Sequence, residues 1–163
     1  MYRQPQLDAP LIVIATNGTV RALEKATGRK AWELVITGLA QRSVVRLVVE
    51  GSSVVGFGLR TVPKDGVFES NEYFGVLFAI DYATGRLRWS VRIDDRRFLS
   101  PTLLVESPHV FLANEAVLYA YVLEDGRPLW QDIDEGTIML EHEAGVSPVA
   151  LATPGRNAQG DAR

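Results

Sequence analysis

The chain has 163 residues, of which 47% are hydrophobic and 23% are charged. This length and composition are typical of one globular domain with a sizeable core. The net charge of −3 provides no general attraction for nucleic acid, so we expect no nucleic-acid partner. Because the sequence contains no cysteine, disulfides, thiolate zinc sites and a cysteine nucleophile are excluded.

The first residues, MYRQPQLDAP, are followed by only a short apolar run, Leu11 to Ala15. A signal peptide requires a longer apolar segment and a cleavage site of small residues. No run approaches the roughly 18 apolar residues of a membrane span. We therefore expect a cytoplasmic protein that makes no contact with a membrane.

A repeat dominates the rest of the sequence. The stretch GTVRALEKATGRKAW returns as GVLFAIDYATGRLRW and, more loosely, as AVLYAYVLEDGRPLW. In each copy a glycine precedes a tryptophan by four positions, and the three pairs are Gly28 with Trp32, Gly85 with Trp89, and Gly126 with Trp130. Matches at this level of detail indicate a repeat architecture.

The segments in and around each copy predict short strands, because apolar and polar residues alternate and β-branched and aromatic residues are enriched. In chain order the predicted strands are Leu11 to Ala15, Thr19 to Leu23 and Arg29 to Ile36; then Val44 to Val49, Ser53 to Phe57, Gly75 to Ile80 and Leu87 to Ile93; then Thr102 to Glu106, His109 to Ala113, Val117 to Val122 and Pro128 to Ile133. The first unit has only a weak candidate for a fourth strand, YRQPQL, which has Pro5 at its middle. Almost no helix is predicted.

The glycines and tryptophans of the repeat have predicted structural roles. Each glycine lies where a tight turn between the last two strands requires a positive φ. Each tryptophan then falls on the last strand, where its large ring can fill the space between neighbouring sheets. We therefore predict that Trp32, Trp89 and Trp130 pack between sheets.

The pattern of alternating apolar residues, an acid, Thr-Gly and Trp is clearest at Glu24 to Trp32 and Asp81 to Trp89. It resembles the repeat of pyrroloquinoline-quinone-type β-propellers, a family that includes quinoprotein dehydrogenases and an outer-membrane assembly lipoprotein. The third copy departs from it, with Val122 in place of the acid and Asp125 in place of the threonine. The resemblance implies an all-β fold, a β-propeller with three four-stranded antiparallel blades at about residues 2–36, 43–94 and 100–133. Fold alone does not imply function.

Three blades do not close a ring, because propellers typically hold about 4–8 blades. A further segment at about residues 146–152 resembles the SPTLLV that opens the third blade. We predict that this C-terminal strand of one chain completes the first blade of another, which would close a six-bladed homodimer. The alternatives are an open three-blade fragment and a tail that folds back locally. Residues 154–163 are polar and aperiodic and are predicted to be a disordered tail.

The second unit carries an insertion that the third unit lacks, RTVPKDGVFESNEY from Arg60 to Tyr73. Loops on a rigid scaffold often carry binding residues. We predict a partner-binding role for Lys64, Asp65, Phe68, Glu69 and Tyr73. The alternative is an insertion without a partner.

Other titratable residues are weaker candidates. Glu24 and Asp81 occupy the acidic position of the repeat, and we expect them to bond to their own turns rather than to form a catalytic pair. His109 and His142 are the only histidines, and their positions show no spacing typical of a metal site.

Three arginines form a possible charged face on one strand. Arg86, Arg88 and Arg92 would point to the same side, which suits a phosphate or an acidic partner. Because Asp94 and Asp95 adjoin them, a solvated surface is the favoured interpretation.

The quinoprotein enzymes that share this repeat hold a quinone over a tryptophan platform with a calcium ion and a catalytic aspartate. The sequence shows no such constellation, so we predict no cofactor, no metal site and no catalysis. The predicted function is a non-catalytic scaffold that binds a protein or peptide partner. The alternatives are a propeller that senses a small ligand and a fragment of a quinoprotein-dehydrogenase-like enzyme.

Overall fold

A computed structural model describes residues 10–36, 39, 46–63, 71–94, 101–114, 117–133, 138–141 and 149–152. These residues form β-strands and contain no helix. Within this described part, accordingly, no helix has the length and apolar character needed to span a membrane. The strands are β1 (Leu11–Thr16), β2 (Thr19–Glu24), β3 (Lys30–Val35), β4 (Arg46–Glu50), β5 (Ser53–Pro63), β6 (Asn71–Asp81), β7 (Leu87–Ile93), β8 (Thr102–Glu106), β9 (His109–Asn114), β10 (Val117–Val122), β11 (Pro128–Ile133), β12 (Ile138–Glu141) and β13 (Val149–Ala152).

The strands form consecutive antiparallel sheets in chain order. We name them blade 1 (β1–β3), blade 2 (β4–β7) and blade 3 (β8–β11); a separate pair consists of β12 and β13. This order confirms the predicted all-β propeller architecture. Blade 1 has three strands among the described residues, and its predicted fourth strand falls in residues 1–9, outside them.

The blades stack face to face, and their side chains alternate between two cores. In β6, Phe78 and Ile80 belong to the cluster shared with blade 1, whereas Leu77 and Ala79 belong to the cluster shared with blade 3. This two-sided burial explains why β6 contains the continuous apolar run FGVLFAI. A strand buried on both faces has no polar side to alternate with.

Each tryptophan of the repeat lies opposite an alanine on the neighbouring strand of its own blade. Ala22 pairs with Trp32, Ala79 with Trp89 and Ala120 with Trp130. The alanines are almost fully buried, and the pairing register shifts immediately after each of them. A small side chain leaves room for the indole ring, while the bulge bends the strand towards its turn.

The described parts of the insertion in blade 2 are strand rather than loop. β5 and β6 have 11 residues each and stay paired from Ser53 opposite Asp81 to Pro63 opposite Asn71. The predicted strand boundaries at Phe57 and Gly75 are therefore wrong. The flanking segments LRTV and EYF keep the β-branched and aromatic residues that strands favour, so the ladder continues through them.

The prediction for the C-terminal segment needs one correction. Val149–Ala152 is a strand, β13, but the strand that lies against β8 and β9 is β12. In the same way, β8 lies against β4 and β5 of the preceding blade. β12 thus takes the innermost position of a fourth blade, and β13 pairs with it as the second strand. The sequence pattern missed β12 because 4 residues are too few to show a period.

Candidate functional site

The hairpin of β5 and β6 projects beyond the neighbouring blades. The equivalent strands of blade 3, β9 and β10, have 6 residues each, whereas β5 and β6 have 11. The additional pairs run from Leu59 opposite Gly75 to Pro63 opposite Asn71. At about 3.4 Å per residue they extend the hairpin by about 17 Å past the end of the blade.

The base of this hairpin is fixed by an aromatic ring between two guanidinium groups. Phe74 is buried, and the central guanidinium carbons of Arg60 and Arg92 lie 5.5 Å and 3.9 Å from its ring centroid. Arg92 also forms an ion pair with Asp94. Leu39 makes an isolated antiparallel bridge to Arg60. Because cations are attracted to the face of an aromatic ring, two positive charges are held in place here.

A cleft of about 520 Å³ opens between the end of β7 and blade 3. Its lining includes Arg92, Asp94, Tyr119, Tyr121 and Gln131. The rings of Tyr119 and Tyr121 are stacked, with centroids 6.4 Å apart and planes inclined by 24°. Burial raises the pKa of the Tyr121 phenol above its ordinary value of 10.0, so this group is neutral at physiological pH. An aromatic wall with a charged rim suits a peptide or a small polar ligand.

The interfaces between blades contain a repeated contact between a tryptophan and a turn. The indole Nε1–H of Trp32 donates to the Tyr82 carbonyl at 2.8 Å, and that of Trp89 donates to the Leu123 carbonyl at 2.9 Å. Each ring also covers the glycine of the same turn, Gly85 or Gly126, whose φ is positive as predicted. Trp32 and Trp89 therefore each contact the turn of the next blade rather than the turn of their own blade.

Trp130 differs from the expectation that it packs between blades. Its side chain is 49% exposed, whereas Trp32 is 8% and Trp89 is 9% exposed. The physical reason is that β12 and β13 are the innermost strands of a fourth blade. The turn that covers a tryptophan joins the outer two strands of a blade. The innermost strands therefore do not provide it.

The acidic residues of the repeat stabilise their own turns. Asp81 accepts from the backbone N–H and hydroxyl of Thr84 and forms an ion pair with Arg88 at 2.6 Å. Arg88, and after it Thr84, hold the pKa of Asp81 at about 2. Glu24 accepts from the Thr27 hydroxyl and from Arg29, and these bonds, Arg29 first, lower its pKa.

Arg88 and Arg92 lie on β7, whereas Arg86 immediately precedes it, and these two strand arginines make more contacts than the predicted solvated surface implies. Arg88 donates to the hydroxyls of Ser52 and Ser53 as well as to Asp81. Arg92 contacts Phe74 and Asp94, as described above. Both arginines therefore fix neighbouring strands of blade 2 to one another.

The predicted partner-binding residues are placed only in part. Lys64, Asp65, Phe68 and Glu69 lie outside the described residues, as does His142. Tyr73 lies on the projecting part of β6, opposite Thr61. The arrangement of Arg60, Phe74 and Arg92 was missed. The signal for it is the period of two residues along β6, which places Phe74 on the same side as Val76 and Phe78.

No cluster suited to a metal ion is present in the described ranges, where no three histidine, aspartate or glutamate side chains converge. His109 instead lies with its ring centroid 5.9 Å from that of Phe111.

The fold and the repeat define a class, the propellers of pyrroloquinoline-quinone-type blades. Within that class, residues 8–158 match the family described as outer membrane protein assembly factor BamB. The chain therefore belongs to this BamB family. A search of curated proteins found no match.

Several solved structures are similar in fold. BamB from Moraxella catarrhalis has a TM-score of 0.51 and 20% identity, over 79% of this chain and 35% of that one. Quinohemoprotein alcohol dehydrogenase from Comamonas testosteroni has a TM-score of 0.58 and 16% identity, over 89% and 31%. A europium-containing methanol dehydrogenase has a TM-score of 0.50 and 16% identity, over 77% and 23%. The chain thus spans about a third or less of the length of these proteins.

The family membership corrects one prediction from the sequence. An outer membrane protein assembly factor points away from the cytoplasm, so the predicted cytoplasmic location is wrong. The prediction relied on the missing apolar leader. A leader is removed from a mature domain, so its absence from a stretch of sequence carries no information on the compartment.

Proposed function

We propose that this chain is a non-catalytic propeller module that binds a protein partner during outer membrane protein assembly, the process for which its family is named. The observation that carries the proposal is the β5–β6 hairpin, which projects from blade 2 beyond its neighbours. Loops and hairpins that extend from a rigid sheet are suited to recognition because they can change without disturbing the core.

The hairpin offers a defined mode of binding. β7 pairs with β6 only as far as Gly75, so among the described residues Asn71 to Phe74 are paired on one side only. A peptide strand can add to this edge through backbone hydrogen bonds. Beside the edge, the Arg60 guanidinium lies over the Phe74 ring, and its positive charge favours an acidic side chain on the peptide.

The tip adds side chains of mixed character. By sequence, residues 64–70 read KDGVFES, and they include the predicted contact residues Lys64, Asp65, Phe68 and Glu69. Protein interfaces typically have aromatic residues at their buried centre and polar or charged residues around them. We propose that the hairpin edge binds the backbone of the partner and that the tip determines which partner is bound.

A matched pair of photo-cross-linking positions tests this proposal. A photoreactive amino acid replaces Phe68 at the tip, or Glu124 in an exposed turn at the opposite end of blade 3. We expect a cross-link to a protein of the outer membrane assembly machinery from position 68 and not from position 124. Identical products from both positions, or none from position 68, would overturn the proposal.

A tip deletion provides an independent check that keeps the blade intact. Replacing residues 64–70 by Asn-Gly joins Pro63 to Asn71, which face each other, through a two-residue turn that suits a hairpin. This variant should keep the melting temperature of the parent. It should no longer bind the protein that cross-links to position 68. A variant that still binds the partner with unchanged affinity would exclude the tip.

The 520 Å³ cleft supports a second candidate, a module that senses a small ligand. Pyrroloquinoline quinone with calcium is the probe, because dehydrogenases share this fold. Under the scaffold proposal neither absorbance nor melting temperature changes when the probe is added. A shift that disappears in Tyr119→Ala would instead favour ligand binding in the cleft.

A further inference from the structure

The turn between β1 and β2 consists of an asparagine followed by a glycine. β1 and β2 pair as far as Thr16 opposite Thr19, so Asn17 and Gly18 alone form the turn. Both have a positive φ, 49° and 78°, as the tight two-residue turns of β-hairpins require. Asn17 is exposed, and the pairing of the two strands does not use the backbone N–H of Gly18. The side-chain amide therefore lies in water next to a backbone nitrogen that takes no part in the strand ladder.

An asparagine that precedes a glycine can lose its side-chain amide without an enzyme. The glycine nitrogen attacks the side-chain carbonyl carbon of the asparagine, the carbon–nitrogen bond of the amide breaks, and ammonia leaves with the proton of the glycine N–H. Water then opens the resulting cyclic imide at either carbonyl group, which yields aspartate or isoaspartate. A following residue with a side chain obstructs the attack, whereas glycine has no β-carbon and a permissive backbone. Asn17 and Gly18 therefore form the pair of residues that favours this reaction most.

The place of this turn in the fold permits the attack. The Gly18 nitrogen reaches the side chain of Asn17 when the turn opens briefly. Local opening costs least at exposed ends of the structure, and the pair of Thr16 and Thr19 is the last of its ladder. Asn114 provides a contrast within the same chain, because it is fully buried and is followed by a glutamate. We therefore expect the reaction at Asn17 and not at Asn114.

The same turn supports the chain where it passes from blade 1 to blade 2. The Gly18 carbonyl accepts a hydrogen bond from the backbone N–H of Ile36 at 2.9 Å. A β-carbon built at Gly18 would lie 3.2 Å from the β-carbon of Leu39, so Leu39 lies directly against the turn. Leu39 also makes the bridge to Arg60 at the base of the projecting hairpin. One series of contacts thus connects the first turn of blade 1 with the hairpin of blade 2.

We propose that Asn17 is a site of spontaneous modification, and that its conversion to isoaspartate loosens the contacts of Gly18 with Ile36 and Leu39. Isoaspartate directs the main chain through the side-chain carbon, which adds a backbone atom between Asn17 and Gly18. A two-residue turn has no spare length, so Gly18 has to leave its present position. Ordinary aspartate keeps the length of the main chain, and Asp-Gly suits the same turn. The two products therefore differ in their effect on this junction, whichever partner the hairpin binds.

Incubation of the full chain near neutral pH, followed by peptide mapping with mass spectrometry, tests the modification. A synthetic peptide ATNGTV, with the sequence of the turn, sets the time scale of the reaction. In the protein, the fragment with Asn17 should gain the mass that an acid has over an amide, and isoaspartyl methyltransferase should label it, while Asn114 keeps its amide. Asn17→Gly is the matched control, because Gly-Gly also suits this turn, and its fragment should stay unlabelled. An Asn17 that is intact after several times the period that converts the peptide would overturn the proposal.

Hydrogen exchange tests the effect on the junction. In the isoaspartate form, separated by ion exchange, the Ile36 amide should exchange faster than in fresh protein, because its acceptor is the Gly18 carbonyl. The Val122 amide, which donates to the Arg127 carbonyl in blade 3, is the control and should not change. Asn17→Asp should exchange like the fresh protein at both amides. An unchanged Ile36 amide in the isoaspartate form, or an equal increase at Val122, would contradict a local effect of the modification.

Discussion

The indole ring of Trp32 covers Gly85 so closely that a β-carbon at this glycine would lie 2.6 Å from the ring. The same turn provides the Tyr82 carbonyl that accepts the indole N–H. One turn of blade 2 therefore provides both a flat surface and an acceptor for a residue of blade 1. Trp89 repeats the arrangement on Gly126 and Leu123 of blade 3.

Gly85→Ala should destabilise the protein more than Gly28→Ala. Both glycines have φ near 70°, so each alanine incurs the left-handed backbone penalty of about 1–2 kcal/mol. At Gly85 the methyl group also overlaps Trp32, which adds about 1–3 kcal/mol, whereas the space at Gly28 is open. Urea unfolding of the two variants checks this order. Equal losses would show that the ring moves aside without cost.

Trp89→Ala should cost about 3–5 kcal/mol of stability, as is usual for a buried aromatic residue. Trp130→Ala should cost clearly less, because about half of that side chain is already exposed. Trp89→Phe separates the hydrogen bond from the ring: it leaves the Leu123 carbonyl without its indole donor, at a cost of about 1–3 kcal/mol. Thermal and urea unfolding of the three variants give these differences.

Asp81 should make stability fall in acid. Its pKa is about 2 in the folded protein against 3.8 for the ordinary side chain, so its contribution is present above about pH 4 and is lost as pH falls towards 2. Asp81→Asn removes this contribution. The urea midpoints of the parent and the variant should therefore differ at pH 6 and converge as the pH approaches 2. A constant difference across this range would contradict the role of the carboxylate.

Phe74 and Arg92 should show a favourable coupling energy. In a double-mutant cycle with Phe74→Leu and Arg92→Gln, the coupling should be about 0.5–2 kcal/mol, since the guanidinium lies over a buried ring. Phe78→Leu serves as the control partner, because Phe78 is a buried phenylalanine of the same strand and no arginine of the described ranges lies over its ring. A coupling as large with Phe78 would indicate a general change of packing.

The sequence predicted the blades well because each carries its own local signals. The alternation of Val117–Val122 and the glycine of the following turn are properties of neighbouring residues. The partner of each tryptophan was harder to predict. Spacing links Trp32 to Gly28 of its own turn, whereas the ring lies on Gly85 of the next blade. A repeat shows that such residues recur, but the contact between repeats depends on how the sheets stack.

The candidate site was only partly predictable for similar reasons. The length of the insertion was visible, but the insertion was interpreted as a loop, because the continued pairing of Val62 with Glu72 depends on hydrogen bonds between two separate segments. The stacking of Arg92 on Phe74 combines residues of two strands. No local sequence pattern shows that Arg92, near the end of β7, lies over Phe74, at the base of the hairpin on β6.

The long hairpin also sets a rule for how its length can vary. Successive residues of a strand point to opposite sides, so removing two facing pairs would shorten the projection by about 7 Å and keep every remaining side chain on its side. Removing a single pair would instead exchange the sides of everything beyond the cut. The projecting part of β5 and β6 can therefore be used as an adjustable spacer that presents a grafted peptide at chosen distances from an unchanged blade.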